Sequence, residues 1–364
     1  MTPLALIMAG GTGGHVFPAL AVAQYLRSRD WRIVWLGTRA GLEARLVPGQ
    51  GIPIEWVSIS GLRGKRWSIV LLAPLRLAIA YAQALAIVWR HRPTVVLGVG
   101  GFVTGPGEVA ARTLGRPLVI HEQNAVAGLT NRWLARIANV VLEAFPGSFG
   151  SRVHARSIGN PVRDAIALLH SPETRFAERQ GVLRLLVVGG SLGARRLNSV
   201  VPNALARLEP AIRPLVWHQA GERGLAEAEA AYRNAGDAGV NARVVPFIED
   251  IAEAYAWSDL IICRAGALTV SELAAAGLGA ILVPFPAAVD DHQTRNAQLL
   301  VDAGAAVLIA DRELSPERLA EVLERFVRDR AQLLAMAQRA HALARPAATA
   351  DLAAVCMTFA EGRA

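Results

Sequence analysis

The chain has 364 residues, of which 53% are hydrophobic and 19% charged, and a formal net charge of +8. That length fits two domains and that apolar content fills two cores, which excludes a disordered chain. The positive balance points to anionic partners such as phosphorylated substrates or an anionic membrane face, although a general preference for Arg explains it equally well; two cysteines far apart exclude a disulfide framework and a metal cluster and fit a cytosolic setting.

The N-terminal residues lack a basic start and a cleavage site and run into glycines, so they read as a first strand and not a signal peptide. That strand, over residues 4–9, enters Gly10-Gly11-Thr12-Gly13-Gly14 and then a helix over 17–29, followed by a strand over 33–36. Residues 69–89 imitate a membrane span in length, but Pro74, Arg76 and Gln83 interrupt them and argue against crossing. A strand over 95–99 runs into Gly100-Gly101, with Gly105 and Gly107 beyond, and 118–120 is the next strand. Asn160-Pro161-Val162-Arg163 marks a break, with a polar stretch over 171–180 behind it. The pattern then restarts: a strand over 185–188 enters Gly189-Gly190-Ser191-Leu192-Gly193, and strands over 215–218, 260–263 and 280–283 follow, with a helix over 270–276. Residues 348–360, after Pro346, read as a last helix. Alternating strand and helix predicts an α/β protein with doubly wound parallel sheets, and the repeated opening predicts two Rossmann-like domains. Their limits are 1–162 and 163–345, with 346–364 crossing back onto the first by analogy with folds of this type.

A glycine loop between strand and helix lets backbone N–H groups approach a phosphate, and the helix start adds partial positive charge. Gly10–Gly14 with Thr12, and Gly189–Gly193 with Ser191, satisfy this, although each loop alone also serves as a tight turn. Dinucleotide binding is disfavoured. No acid stands at the end of the second strand, Trp35-Leu36-Gly37-Thr38-Arg39, and the second-half loop lacks the third glycine. Arg264-Ala265-Gly266-Ala267-Leu268-Thr269-Val270-Ser271-Glu272 follows an apolar strand and opens a helix. Its small residues admit a ligand to the helix start, and Glu272 can accept both ribose hydroxyls. Capping by Thr269, completed by Ser271 or Glu272, is a compatible reading.

These residues resemble the MurG family of UDP-N-acetylglucosamine transferases of peptidoglycan synthesis, which have the GT-B fold, two Rossmann-like domains with parallel sheets facing a deep cleft. The resemblance rests on Gly10-Gly11-Thr12-Gly13-Gly14-His15-Val16-Phe17-Pro18, Ile59-Ser60-Gly61-Leu62-Arg63-Gly64-Lys65, Gly100-Gly101-Phe102-Val103-Thr104-Gly105-Pro106 and His121-Glu122-Gln123-Asn124. It continues through Gly159-Asn160-Pro161-Val162-Arg163, Gly189-Gly190-Ser191, Ala267 to Glu272, and Asp291-His292-Gln293 with Asn296-Ala297. It implies that Thr12, Gly13 and Gly14 line the cleft, with Asn124 near the sugar. It implies that Arg163, Ser191, Ile248, Ala267, Leu268, Thr269, Val270, Ser271, Glu272 and Gln293 hold UDP-N-acetylglucosamine from the second domain. Arg163 and Ser191 suit the diphosphate, as a fork donor and a hydroxyl, and the Ile248 backbone suits uracil. Pro286-Ala287-Ala288-Val289 departs from the more polar stretch of some members, which puts the loop beside Gln293 in question.

The implied reaction inverts an α-linked donor into a β-1,4 bond on lipid I, the undecaprenyl-linked N-acetylmuramyl-pentapeptide, to give lipid II. It needs a base and a stabilised leaving diphosphate. No Asp-x-Asp metal motif stands in a suitable loop, so neither a metal nor another cofactor is expected, and helix-start charge with Arg163 takes that part. His15 is the first candidate base, since imidazole exchanges protons near neutral pH; its alternatives are a structural role or donation to the acceptor diphosphate. Glu122 is the second candidate, with loop ordering as its alternative, and His121 is expected to support them by a hydrogen bond. Arg63, Lys65 and Arg66 precede Trp67, Ile69, Val70, Leu71, Leu72, Leu75, Leu77 and Ile79, with Arg76 among them. That pattern suits an anionic leaflet, or a core helix after Pro74. The family implies a peripheral protein on the cytoplasmic face of the bacterial inner membrane, with cell-division and cell-wall synthesis proteins as partners. Nucleic acid is not expected, for want of a basic-aromatic module. Alternatives are a UDP-N-acetylglucosamine epimerase or a non-catalytic sugar-nucleotide-binding membrane protein.

Overall fold

A computed structural model describes residues 2–59, 73–179, 181–190, 194–239, 241–288 and 291–361. The chain forms two compact units, Met1–Arg163 with Arg345–Ala364, and Asp164–Ala344. The first holds β1 (Leu4–Met8), β2 (Arg32–Gly37), β3 (Ile54–Trp56), β4 (Val95–Gly98), β5 (Leu118–Glu122), β6 (Val140–Glu143) and β7 (Arg156–Ser157). Its helices are α1 (Gly13–Arg27), α2 (Glu43–Gly49), α3 (Ala73–His91), α4 (Thr104–Thr113) and α5 (Leu129–Leu134). The second unit holds β8 (Arg184–Val188), β9 (Leu215–Gln219), β10 (Ala242–Val245), β11 (Leu260–Cys263), β12 (Gly279–Leu282) and β13 (Ala306–Leu308). Its helices are α6 (Asp164–Ala167), α7 (Pro172–Ala177), α8 (Arg195–Arg207), α9 (Leu225–Asn234), α10 (Ile251–Trp257), α11 (Ala267–Ala276), α12 (His292–Asp302), α13 (Pro316–Arg328) and α14 (Arg330–Ala342). A last helix, α15 (Ala348–Glu361), belongs to the first unit.

The first sheet runs β3-β2-β1-β4-β5-β6-β7 and the second β10-β9-β8-β11-β12-β13. Their pairings are parallel, for example Leu6 with Val34 and Val96, and Leu186 with Trp217 and Ile261. Helices cover both faces of such sheets, so central strands are continuous apolar runs: every residue of β1 and of β11 is buried. In each sheet the strand order reverses once, between β1 and β4 and between β8 and β11. The crevice outside the carboxyl ends at such a reversal is where ligands bind in doubly wound folds. The glycine loops after β1 and β4, and Gly189-Gly190 after β8, stand at these two points.

Helix α15 completes the first core. Its Leu352, Ala353 and Cys356 are buried in one cluster with Val16, Leu20 and Ala23 of α1. Just before it, Gly159 (φ +87°) lies so close to Arg345 that a Cβ would stand 2.4 Å from the Arg345 Cβ. Both cysteines are free and buried, and burial pushes each thiol up to about 12.

Helix α3 carries Pro74 beside the first of its described residues. Ala80, Ala84, Ile87 and Val88 face the core, while Leu75, Leu77 and Ile79 stay 60%, 53% and 45% exposed. The expectation of a core helix after Pro74 therefore holds only for its second half. Among the described residues no helix is long and apolar enough to cross a membrane. Residues 60–72, with Ser60 to Lys65 and the basic and apolar run after them, lie outside the described residues.

One core carboxyl carries a pH dependence. Glu108 of α4 is fully buried over Gly98, and neither of its oxygens has a hydrogen-bond partner among the described residues. Thr104 is near enough to oppose the shift a little, but its hydroxyl donates to Gly101 O. Burial therefore pushes the carboxyl from 4.5 up to about 7. Between those values the folded state holds a proton that the unfolded state has lost, so stability falls as pH rises through that window and is level above it. The expected result is that E108Q gains on the parent by about 3 kcal/mol between pH 4.5 and pH 8, measured by urea unfolding at both pH values; a constant difference refutes it.

Candidate active site

The first site forms at the β1–β4 reversal. Thr12 precedes α1 in an extended conformation, and its carbonyl accepts from His15 N and Val16 N. No side chain caps this helix and no acid stands in its first turn, so the N–H groups of Gly13 and Gly14 face outward with the helix-start potential. The loop after β4 comes against it: Gly101 (φ +93°) approaches so closely that a Cβ would meet Gly10 O at 2.7 Å. Glu43 of α2 fixes the loop from beneath. This buried carboxylate accepts from Gly11 N (3.0 Å), Thr38 N (3.0 Å) and Thr38 Oγ1 (2.8 Å).

His15 sits in the first turn of α1, half-buried, with Gly100 against its ring. Its Nδ1 lies 2.7 Å from Gln123 Oε1 and 3.1 Å from Val99 O. Gln123 Nε2 in turn lies 3.0 Å from His121 Nδ1 and 2.9 Å from His121 O, and His121 Nε2 lies 2.9 Å from Gly159 O. Asn160 Nδ2 donates to Gln123 O at 3.1 Å. The segments His121-Glu122-Gln123-Asn124 and Gly159-Asn160 are thus each other's hydrogen-bond partners. Burial lowers the His121 pKa to about 4 against the opposing pull of Gly159 and Glu122, so this imidazole is neutral at neutral pH.

Glu122, 2% exposed, is saturated. Its Oε1 accepts from Asn124 N and Nδ2 (2.9 and 3.1 Å), and its Oε2 from Gly128 N and Asn131 Nδ2 (3.0 and 2.9 Å). Four donors fill the lone pairs of a carboxylate. The expectation that Glu122 serves as base meets this obstacle, and its alternative, loop ordering, matches the geometry. Arg163, expected with the second unit, lies in the first, its guanidinium 5.0 Å over the Phe17 ring of α1.

The second site forms at the β8–β11 reversal. Gly266 leads into α11 in an extended conformation with no side chain capping the helix. Thr269 Oγ1 stands 3.5 Å from where a Gly266 Cβ would be, beside the helix start. Ala267 and Leu268 are buried, Thr269 is half-buried, and Ser271 donates to Ala267 O at 3.1 Å. Val270 is turned into the core and its N–H donates to Gly266 O, so it offers packing and no ligand group. Glu272 is buried one turn in, and Tyr255 of α10 donates to its Oε2 at 3.1 Å. Gln293 Oε1 accepts from Ala265 N (3.2 Å) and Phe285 N (2.8 Å), which ties together the loops after β11 and β12. Arg264 braces the same loops: it donates to Val283 O and Pro284 O (both 3.1 Å) and pairs with Asp311 at 2.6 Å. Ile248 N donates to Gln219 Oε1 at 3.3 Å, a long bond that a better-placed acceptor can replace. Ser191 lies outside the described residues.

Sequence reasoning missed Glu43 and Gln123. Glu43 carried a signal: an acid six residues past β2 can fold back to the strand end, where a dinucleotide fold places one. It binds the loop, not a ribose. Gln123 carried none beyond its neighbours.

Two units with parallel doubly wound sheets and glycine loops at their reversal points are the architecture of a GT-B glycosyltransferase, and the comparisons with known proteins show that class. The profile for the glycosyltransferase family 28 N-terminal domain matches residues 5–143, and that for the family 28 C-terminal domain matches 184–352. The chain is 57% identical over 357 residues to the UDP-N-acetylglucosamine--N-acetylmuramyl-(pentapeptide) pyrophosphoryl-undecaprenol N-acetylglucosamine transferase of Marinobacter nauticus, covering 98% of each. It is 56% identical to the protein of that name from Nitrosococcus oceani, covering 98% of this chain and 99% of that one. The crystal structure of Acinetobacter baumannii MurG superposes with a TM-score of 0.84 at 42% identity, covering 98% of this chain and 99% of that one. CalG4, the calicheamicin glycosyltransferase, shares the fold at 16% identity, with a TM-score of 0.67 over 98% of this chain and 99% of that one. The chain belongs to the MurG family and is an N-acetylglucosaminyltransferase.

Proposed function

We infer that this enzyme transfers N-acetylglucosamine from UDP-N-acetylglucosamine to lipid I, forming the β-1,4 linkage of lipid II. Full-length identity to transferases named for that reaction carries the reading, and both glycine-loop sites agree with it. In the second unit, the uncapped start of α11 receives the UDP diphosphate, Glu272 accepts from the ribose, the Ile248 backbone reads uracil and Gln293 faces the sugar. In the first unit, Thr12, Gly13, Gly14 and Arg163 provide N–H groups and a guanidinium for diphosphate, and Asn124 stands at the sugar end of the loop. His15 Nε2 takes the proton from the attacking 4-hydroxyl as the bond from C1 to the UDP oxygen breaks; the positive potential of the loops stabilises the leaving diphosphate. Glu122 orders the loop that carries Gln123 and Asn124.

A lipid-linked acceptor keeps the reaction at a bilayer. The exposed Leu75, Leu77 and Ile79 with Arg76 on α3, and exposed Leu129, Trp133 and Ile137 with Arg132 and Arg136 at α5, support peripheral docking on an anionic cytoplasmic leaflet. One experiment tests both parts: purified protein with UDP-N-acetylglucosamine and a lipid I analogue in anionic or neutral vesicles, assayed for UDP and disaccharide. Stoichiometric UDP and disaccharide are expected, faster in anionic vesicles, with an advantage that shrinks as salt rises. Free UDP-N-acetylmannosamine without acceptor would favour an epimerase, and donor binding without UDP release a non-catalytic protein. Equal rates in both vesicles would remove the electrostatic docking.

A further inference from the structure

We propose that Gln123 is a positioning residue: held by His121, it keeps the His15 proton on Nδ1 and leaves the Nε2 lone pair as the base. The proposal rests on the reading of His15 as the base.

The protons can be placed one by one from a backbone carbonyl. Gly159 O only accepts, so the His121 nitrogen 2.9 Å from it, Nε2, carries the hydrogen. His121 is buried and neutral, so its Nδ1 is bare. Gln123 Nε2 faces that bare nitrogen and His121 O, at 3.0 and 2.9 Å. Two acceptors demand the NH2 end of the amide, which turns Oε1 toward His15. Gln123 Oε1 at 2.7 Å and Val99 O at 3.1 Å then converge on His15 Nδ1. Both are acceptors, so Nδ1 carries a hydrogen, and in the neutral imidazole Nε2 is then the bare nitrogen. Asn160, donating to Gln123 O at 3.1 Å, holds the amide's own backbone. The two histidines therefore carry opposite tautomers, linked by one glutamine.

The arrangement does what a carboxylate does for a catalytic histidine, holding tautomer and ring orientation, but with a neutral partner. Gln123 is only 1% exposed and stands behind the ring, so its part is to orient and not to exchange protons.

Full-length protein labelled with 15N-histidine tests this, because protonated and bare ring nitrogens resonate far apart in long-range 1H–15N spectra; H15Q and H121Q spectra assign the two rings. The expected result is His15 with hydrogen on Nδ1 and His121 with hydrogen on Nε2. His15 with hydrogen on Nε2 overturns the proposal. Gln123→Leu is expected to lower kcat roughly ten- to a hundredfold with KM for UDP-N-acetylglucosamine unchanged, and to show His15 in mixed tautomers where the parent shows one. Gln123→Glu, which returns an oxygen to His15 Nδ1, is expected to recover part of the loss. Unchanged kcat and an unchanged His15 spectrum in Gln123→Leu overturn the proposal as well. Normal turnover in His15→Ala would instead remove the base reading and leave the tautomer assignment standing, so the two failures are distinguishable.

Discussion

His15→Ala is expected to lower kcat by roughly two to four orders of magnitude, the usual contribution of a positioned general base, with KM for UDP-N-acetylglucosamine unchanged. The reasons are local. Nδ1 is held by Gln123 and Val99 O, so only Nε2 is left to serve a substrate. The groups assigned to the donor nucleotide, Ile248 and Glu272, belong to the second unit, whereas His15 belongs to the first. Removing the ring therefore removes a proton acceptor needed in the transition state without touching nucleotide binding. Steady-state kinetics with varied donor at saturating acceptor analogue check this. Turnover within a few-fold of the parent takes His15 off the catalytic list. A large rise in donor KM with unchanged kcat would reassign it to binding.

The second large effect is expected at Glu272. Hydrogen bonds to a charged acceptor contribute about 1.5–3 kcal/mol each, and a carboxylate that receives both ribose hydroxyls makes two. Glu272→Ala is expected to weaken UDP binding by roughly a hundredfold or more on that scale, raising donor KM while kcat at saturation changes little. Titration calorimetry with UDP measures it. A 2′-deoxy donor sharpens the comparison: the parent should discriminate against it, and the variant should not. If the variant keeps the parent's affinity for UDP, or its preference for the ribo donor, Glu272 has no ribose role. Because the substitution also strips Tyr255 of a buried acceptor, the melting temperature is measured alongside, and Glu272→Gln, which keeps an oxygen for Tyr255, separates packing from recognition.

The central strands were legible in the sequence because burial on both faces makes them uninterrupted apolar runs. The strand expected over 260–263 coincides with β11, and those over 4–9, 33–36, 95–99 and 185–188 match β1, β2, β4 and β8 to within a residue or two. The strands not anticipated, β3, β6, β7, β10 and β13, lie at or toward sheet edges and are two to four residues long. β7 is Arg-Ser, both exposed, and has no apolar signature to read. Helix starts came late: the expected helices over 17–29 and 270–276 begin at Gly13 and Ala267, because glycine and small residues at a ligand-facing start look like loop. The glycine loops and the small-residue segment before Glu272 were legible because close backbone approach demands small residues at fixed positions. The wiring from Gly159 through His121 and Gln123 to His15 was not. It joins stretches of chain far apart in sequence, through Gln123 Oε1 on His15 and through the carbonyls of Gly159 and Val99, and neither a distant partner nor a carbonyl leaves a mark on local residue identity. Glu122 read as second candidate base or as loop brace, and two of its four donors are backbone N–H groups that residue identity does not reveal.

The return of α15 to the first unit has a consequence for biogenesis. Leu352, Ala353 and Cys356 are as buried as the strand residues they meet, yet they are synthesised after the whole second unit. Domains usually close in the order they are synthesised. Here the second unit has its whole sequence first, and the first one waits with the inner face of α1 uncovered until α15 has been made. A nascent chain stalled anywhere in the second half therefore exposes an apolar surface in its first half, which makes unfinished copies of this enzyme natural clients for chaperones and proteases.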